Sequence, residues 1–105
     1  MQELNLTTKK LNRVQLWNLQ HLEETLEPYK EHWEEWIKSP DCCITQREAL
    51  ILEQYKEHCN LRLIGQELPE KISRERVRQL FVRTIRTLRS AKTKSKFDDW
   101  VEAGR

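Results

Sequence analysis

Apolar residues recur at helical spacing along most of the chain, and no stretch alternates apolar and polar residues long enough to predict a strand. A first helix is predicted over residues 9–26, where Thr7 or Thr8 supplies the cap. Its apolar residues cover more than one face, which predicts contact with a partner as well as with its own domain. A second helix begins near Pro28 and stops at Pro40. We therefore expect an all-α fold.

Three more helices follow in the second half of the chain. Thr45 and Glu48 have the Thr-x-x-Glu spacing of a capping box, which marks the start of a third helix. Asn60 can cap a short fourth helix over residues 61–68. Gly65 in its middle costs about 1 kcal/mol relative to alanine. We therefore expect a neighbouring helix to approach closely at this glycine.

Ser73 is the predicted N-cap of a long fifth helix, about residues 74–91. One side of this helix carries a continuous apolar stripe of Val77, Leu80, Phe81, Thr84, Ile85 and Leu88. The other side is rich in arginine and glutamine and also carries Val82, which we expect to be an exposed valine. A basic linker, AKTKSK, and a short helix, FDDWVEA, are predicted to complete the chain.

Charge is unevenly distributed, although the net charge is only +2. Residues 1–59 carry 7 basic and 11 acidic side chains, whereas residues 60–96 carry 11 basic and 3 acidic ones. A basic segment of this kind attracts polyanions, of which nucleic acid is the commonest. The charge distribution thus favours double-stranded DNA as a partner.

The start of the fifth helix carries the side chains that read base edges in the major groove. Arginine pairs with guanine, glutamine pairs with adenine, and glutamate accepts from the cytosine amino group. We predict that bases are read by Arg74, Glu75, Arg78 and Gln79. Contacts to the DNA backbone are predicted for Ser73, Arg76, Arg83, Arg86, Arg89, Lys92 and Lys94.

Residues 44–90 resemble region 4, the promoter-reading domain of the bacterial sigma-70 family. The resemblance lies in the ordered segments ITQREALIL, LRLIGQEL, ISRERVRQL and IRTLRS, of which SRERVRQ is the most specific. It implies a helix-turn-helix in which Arg74, Glu75 and Gln79 read a promoter −35 element. It also implies docking on the flap-tip helix of the RNA polymerase β subunit. The turn LPEKIS is two residues longer than is usual in the family, which leaves the angle between the helices open.

The chain is accordingly divided into three parts. Residues 1–40 form a Trp-rich helical extension, residues 44–91 form the region 4-like helix-turn-helix, and residues 92–105 form the basic linker and short helix. The extension is predicted to serve self-association as a homodimer or docking on a partner protein, through Trp17, Trp33 and Trp36.

The sequence favours a transcription regulator that reads a −35-type element, alone or as half of a split sigma-like factor together with RNA polymerase. The alternative is a protein-interaction module that binds polymerase or a sigma or anti-sigma partner, with DNA contact secondary. Small stand-alone proteins of this resemblance are frequent in phages and mobile elements, so we expect such a source.

Other classes of function have little support in the sequence. There is no nucleophile motif and no glycine-rich phosphate loop, so we expect neither an enzyme nor a cofactor. Cys42, Cys43, His58 and Cys59 lack the spacing of a zinc site, so no metal is expected. No membrane span or signal peptide is apparent, and three cysteines make no disulfide framework, so a cytoplasmic location is expected.

Overall fold

The structure, a computed structural model, describes residues 11–104. Within that range the fold is all-α, as predicted. The elements are α1 (Arg13–Leu26), a 3-10 helix (Glu27–His32), α2 (Trp33–Lys38), α3 (Gln46–His58), α4 (Leu61–Glu67), α5 (Arg74–Arg89) and α6 (Ala91–Glu102).

The first helix begins later than predicted. Asn12 is its N-cap: the side-chain oxygen of Asn12 accepts from the Gln15 amide at 2.8 Å, and the Gln15 side chain accepts from the Asn12 amide at 3.0 Å. This reciprocal pair satisfies two of the amides that a helix start leaves without partners. Residues 11 and 12 were predicted to be helical, and this part of the prediction is wrong because they precede α1. Thr7 and Thr8, the predicted caps, lie outside the described residues.

The predicted second helix is two elements. Pro28 lies in the first turn of the 3-10 helix, where its missing amide costs nothing, and α2 continues to Lys38. Ser39, just before Pro40, has extended backbone, with φ −79° and ψ 143°, because a residue before proline is kept out of the helical region.

The caps predicted for the third, fourth and fifth helices are confirmed. The Thr45 hydroxyl accepts from the Glu48 amide at 3.1 Å, and the Glu48 carboxylate accepts from the Thr45 amide at 2.8 Å. Asn60 accepts from the Leu63 amide at 3.0 Å. Ser73 accepts from the Arg76 amide at 3.1 Å and so starts α5 at Arg74.

The predicted basic linker is wrong, because residues 91–96 are the first turns of α6. Ser90 caps this helix by accepting from the Thr93 amide at 3.2 Å. Thr93 and Phe97, four residues apart, are buried, whereas Lys92 and Lys94 are exposed. A segment that looks like a charged linker in sequence is thus an amphipathic helix with one narrow buried side.

The N-terminal extension shares the core of the rest of the chain. The ring centroids of Trp36 and Phe97 are 5.2 Å apart, and those of Tyr29 and Phe97 are 4.8 Å apart, both in edge-to-face geometry. The Tyr29 hydroxyl donates to the Leu88 carbonyl oxygen at 2.6 Å. Aromatic pairs of this geometry add stability beyond the area they bury. Residues 27–38 therefore help to hold α5 and α6 in place.

Candidate nucleic-acid interface

The candidate interface is the N-terminal end of α5. All four residues predicted to read bases, Arg74, Glu75, Arg78 and Gln79, are exposed there. The opposite side of the helix is fixed in the core by Val77, Leu80, Phe81, Thr84, Ile85 and Leu88, the stripe predicted from the sequence. Core packing on one side therefore leaves the polar residues of this turn facing solvent.

Ion pairs connect the exposed side chains of this turn to one another. Arg78 donates twice to the Glu75 carboxylate, from Nε at 3.1 Å and from Nη2 at 2.6 Å. These hydrogen bonds lower the pKa of Glu75 and raise the pKa of Arg78. Arg76 donates to the Gln79 side-chain oxygen at 3.4 Å. The exposed donors and acceptors of this turn are therefore paired with one another on the helix surface.

Two of the predicted DNA-backbone residues have partners on other helices. Arg83 donates to the Glu48 carboxylate at 3.0 Å, and Glu48 is itself buried. Arg89 donates to the Thr25 hydroxyl at 3.0 Å, which ties the end of α5 to α1. Sequence reasoning recognised Glu48 only as a cap and missed its role as a partner, since 35 residues separate the pair.

The remaining predicted DNA-backbone residues differ in where they lie and in what they contact. Arg76, Arg86, Lys92 and Lys94 are exposed, the two lysines on α6. Ser73 is also exposed, but its hydroxyl is used by the helix cap. Apart from Arg83 and Arg89, the predicted backbone set therefore contains four exposed cations.

The close approach expected at Gly65 sets the position of α5. A Cβ on Gly65 would lie 2.3 Å from the Ile72 carbonyl oxygen and 3.2 Å from Val77 Cγ2. The Ile72 amide donates to the Gly65 carbonyl oxygen at 3.1 Å. The turn between α4 and α5 therefore folds back onto α4, and only a residue without a side chain fits there.

The three tryptophans predicted to bind a partner have different environments. Trp36 is fully buried in the aromatic cluster, so the prediction of a partner contact does not hold for it. Trp33 is half-buried, and its indole nitrogen donates to Glu53 at 3.1 Å. Trp17 is 59% exposed and stacks on His21, with ring centroids 4.6 Å apart. Of the three, Trp17 offers the largest free surface.

Trp17 also borders a groove that sequence reasoning missed. Its volume is about 530 Å³, and it lies between α1 and the C-terminal half of α5. Phe81, Val82 and Ile85 line the side that α5 contributes, and Val82 is exposed as expected. The signal in the sequence was the apolar coverage of more than one face of α1.

Histidine, cysteine and acidic side chains are the groups that would form a metal site. Among residues 11–104, no three His, Cys, Asp or Glu side chains come together in a way that could hold a metal ion. Cys59 is buried, at the C-terminal cap of α3, as expected for a structural cysteine. No described helix is both long enough and apolar enough to cross a membrane.

Comparison with protein-family models, with curated proteins and with solved structures finds no match to this chain. The likeness to sigma region 4 therefore rests on the residues of segment 44–90 themselves.

Proposed function

We propose that this protein is a sequence-specific DNA-binding transcription regulator that inserts the start of α5 into the major groove of a −35-type promoter element. In this proposal α4, the LPEKIS turn and α5 act as a helix-turn-helix. The observation that carries it is the exposure of Arg74, Glu75, Arg78 and Gln79 together on the first turns of one helix whose other side is anchored in the core.

Electrostatics supports the same proposal. Arg76, Arg86, Lys92 and Lys94 are exposed cations on α5 and α6. If each of the four contacts one phosphate, the logarithm of the binding constant should fall with the logarithm of salt concentration with a slope of about −3 to −4. RNA polymerase, engaged through the β flap as the resemblance implies, would supply the remaining contacts at a promoter.

The test is a fluorescence-anisotropy titration of duplex DNA at several salt concentrations, after selection of preferred sites from a random pool. Arg74→Ala and Gln79→Ala should each reduce discrimination at one base pair by about 1–3 kcal/mol. Lys94→Ala should weaken binding to all duplexes alike and make the salt slope less steep by about 1. Lys56→Ala is the matched control, because Lys56 is an exposed lysine on α3 and should leave the slope unchanged.

Absence of binding to any duplex at low salt would refute the proposal. If RNA polymerase were still retained by the protein in that case, the result would favour the alternative, an interaction module for polymerase or a sigma-type partner. Equal loss of affinity for all sequences in Arg74→Ala and Lys94→Ala would refute base reading while leaving non-specific DNA binding.

A further inference from the structure

The charges at the two ends of α1 oppose the dipole of that helix. Arg13 opens α1, whose first turn has no acidic residue, and Glu23 and Glu24 lie in a last turn with no basic residue. A helix has partial positive charge at its N-terminus and partial negative charge at its C-terminus, so all three side chains disfavour α1 taken alone. All three are exposed. This placement calls for a reason outside the helix itself.

An apolar seam runs between these charges. Val14, Trp17 and His21 are spaced by three and four residues, which places them on one side of α1. Val14 is 67% exposed and Trp17 is 59% exposed, and the stack of Trp17 on His21 holds the indole in one position. An exposed, ordered aromatic on such a seam is typical of a helix that packs on another helix.

The groove beside this seam is bounded by residues of α1 and α5. Trp17 and His21 form one wall, and Phe81, Val82 and Ile85 form the other. The residues that line it include Arg86 and Arg89 but no carboxylate. An incoming helix would therefore meet apolar side chains along its centre and positive charge at the rim.

We propose that a second copy of this chain lays its α1 antiparallel along the α1 seam, forming a two-fold symmetric dimer. With the two-fold axis between residues 18 and 19, Arg13 of each copy faces Glu24 of the other. Arg13 and Glu24 then each lie beside the helix end that they stabilise, because the C-terminal end of one α1 meets the N-terminal end of the other. The two Arg13–Glu24 pairs form at once, as an isologous interface requires.

The interface is small, since it consists mainly of one helix from each copy. Small interfaces are typical of weak complexes, so we expect a dissociation constant in the micromolar range. The second copy would lie against the groove that Arg86 and Arg89 border, so Arg86 would contact no phosphate in the dimer. Arg74 and Glu75, at the far end of α5, would stay open to solvent.

Charge reversal tests this arrangement by sedimentation equilibrium at low salt. Arg13→Glu and Glu24→Arg should each weaken self-association by about 5- to 30-fold, because two ion pairs per dimer become repulsions. The double variant, Arg13→Glu with Glu24→Arg, should recover the original dissociation constant, since the pairs re-form with exchanged charges. Both changes suit the dipole of α1, so any loss of association cannot come from a weakened helix.

Truncation of the seam gives a second measurement. Trp17→Ala should weaken self-association by more than 10-fold, as expected for a central aromatic residue. Gln66→Ala is the control, because Gln66 is exposed on α4, which takes no part in the proposed interface. It should leave the dissociation constant unchanged.

A protein that stays monomeric at all concentrations would overturn the inference, and so would a dimer whose affinity is not restored by the double charge reversal. The inference does not rest on DNA binding. A monomer that binds duplex DNA would overturn the dimer alone, and a dimer that binds no duplex would overturn the proposed function alone.

Discussion

In Gly65→Ala, helix propensity favours a more stable protein, whereas the tertiary contacts of Gly65 favour a less stable one. Gly65 lies inside α4, where alanine is favoured over glycine by about 1 kcal/mol on helix propensity alone. The structure places the Ile72 carbonyl oxygen 2.3 Å from the position of the new Cβ. Because that oxygen belongs to the backbone of the turn before α5, relief requires the turn itself to move.

The size of the effect follows from that distance. The turn would have to move by about 1 Å to reach an ordinary contact, and crowding of this kind in a packed interior costs about 1–3 kcal/mol. The hydrogen bond from the Ile72 amide to the Gly65 carbonyl oxygen would also be strained, with about 1 kcal/mol at stake. After the gain in propensity, we expect the free energy of unfolding to fall by about 1–3 kcal/mol.

The assay is urea denaturation followed by far-ultraviolet circular dichroism. Gln66→Ala is the matched control, since Gln66 is exposed on the same helix and should change stability by less than about 0.5 kcal/mol. A Gly65→Ala protein as stable as the original, or more stable, would contradict the predicted loss of stability. Because the displaced turn leads into α5, we also expect the variant to bind duplex DNA more weakly if the proposed function holds.

Three further predictions concern contacts that hold α5 and the aromatic cluster. Burial raises the pKa of Tyr29 from 10.0 to about 12, so the folded state keeps a proton that the unfolded state loses, and stability should fall as pH rises from about 10 to 12. Tyr29→Phe removes this tyrosine's share of the decline, which unfolding at several pH values would measure. Glu48→Gln removes the charge that pairs with Arg83, at a cost of about 0.5–1 kcal/mol, and Glu48→Ala should cost more because the hydrogen bond from the Thr45 amide to the Glu48 carboxylate is lost as well; equal losses in urea denaturation would contradict this. Trp36→Ala should cost about 3–5 kcal/mol, with loss of the near-ultraviolet circular dichroism signal, and a smaller effect would argue against full burial.

Helix caps and the buried side of α5 depend on near neighbours in the chain, so they could be predicted from the sequence. The caps at Thr45, Asn60 and Ser73 were predictable because each needs only its own side chain and an amide three residues later. The buried side of α5 was predictable because a helix repeats every 3.6 residues, and the outward position of its polar residues followed from the same period.

The extent of α6 and the burial of Trp36 depend on residues distant in sequence, so the folded structure was needed to see them. Residues 91–96 were expected to be a linker, but Thr93 and Phe97 find a buried site against the rest of the chain and extend α6 over them. Trp36 was predicted to bind a partner but lies in the core, because Phe97 and Trp100 come from the other end of the sequence to cover it. Local periodicity cannot show which apolar face is covered.

The same distinction between local and distant contacts applies to the candidate interface. The exposed polar residues at the start of α5 could be named from the sequence, since capping and helical period are local. The partners of Arg83 and Arg89 and the groove between α1 and α5 could not be predicted, because each joins residues at least 35 positions apart. Folding brings them together, and so tertiary contacts determine which arginines of α5 bind other helices and which remain exposed without such a partner.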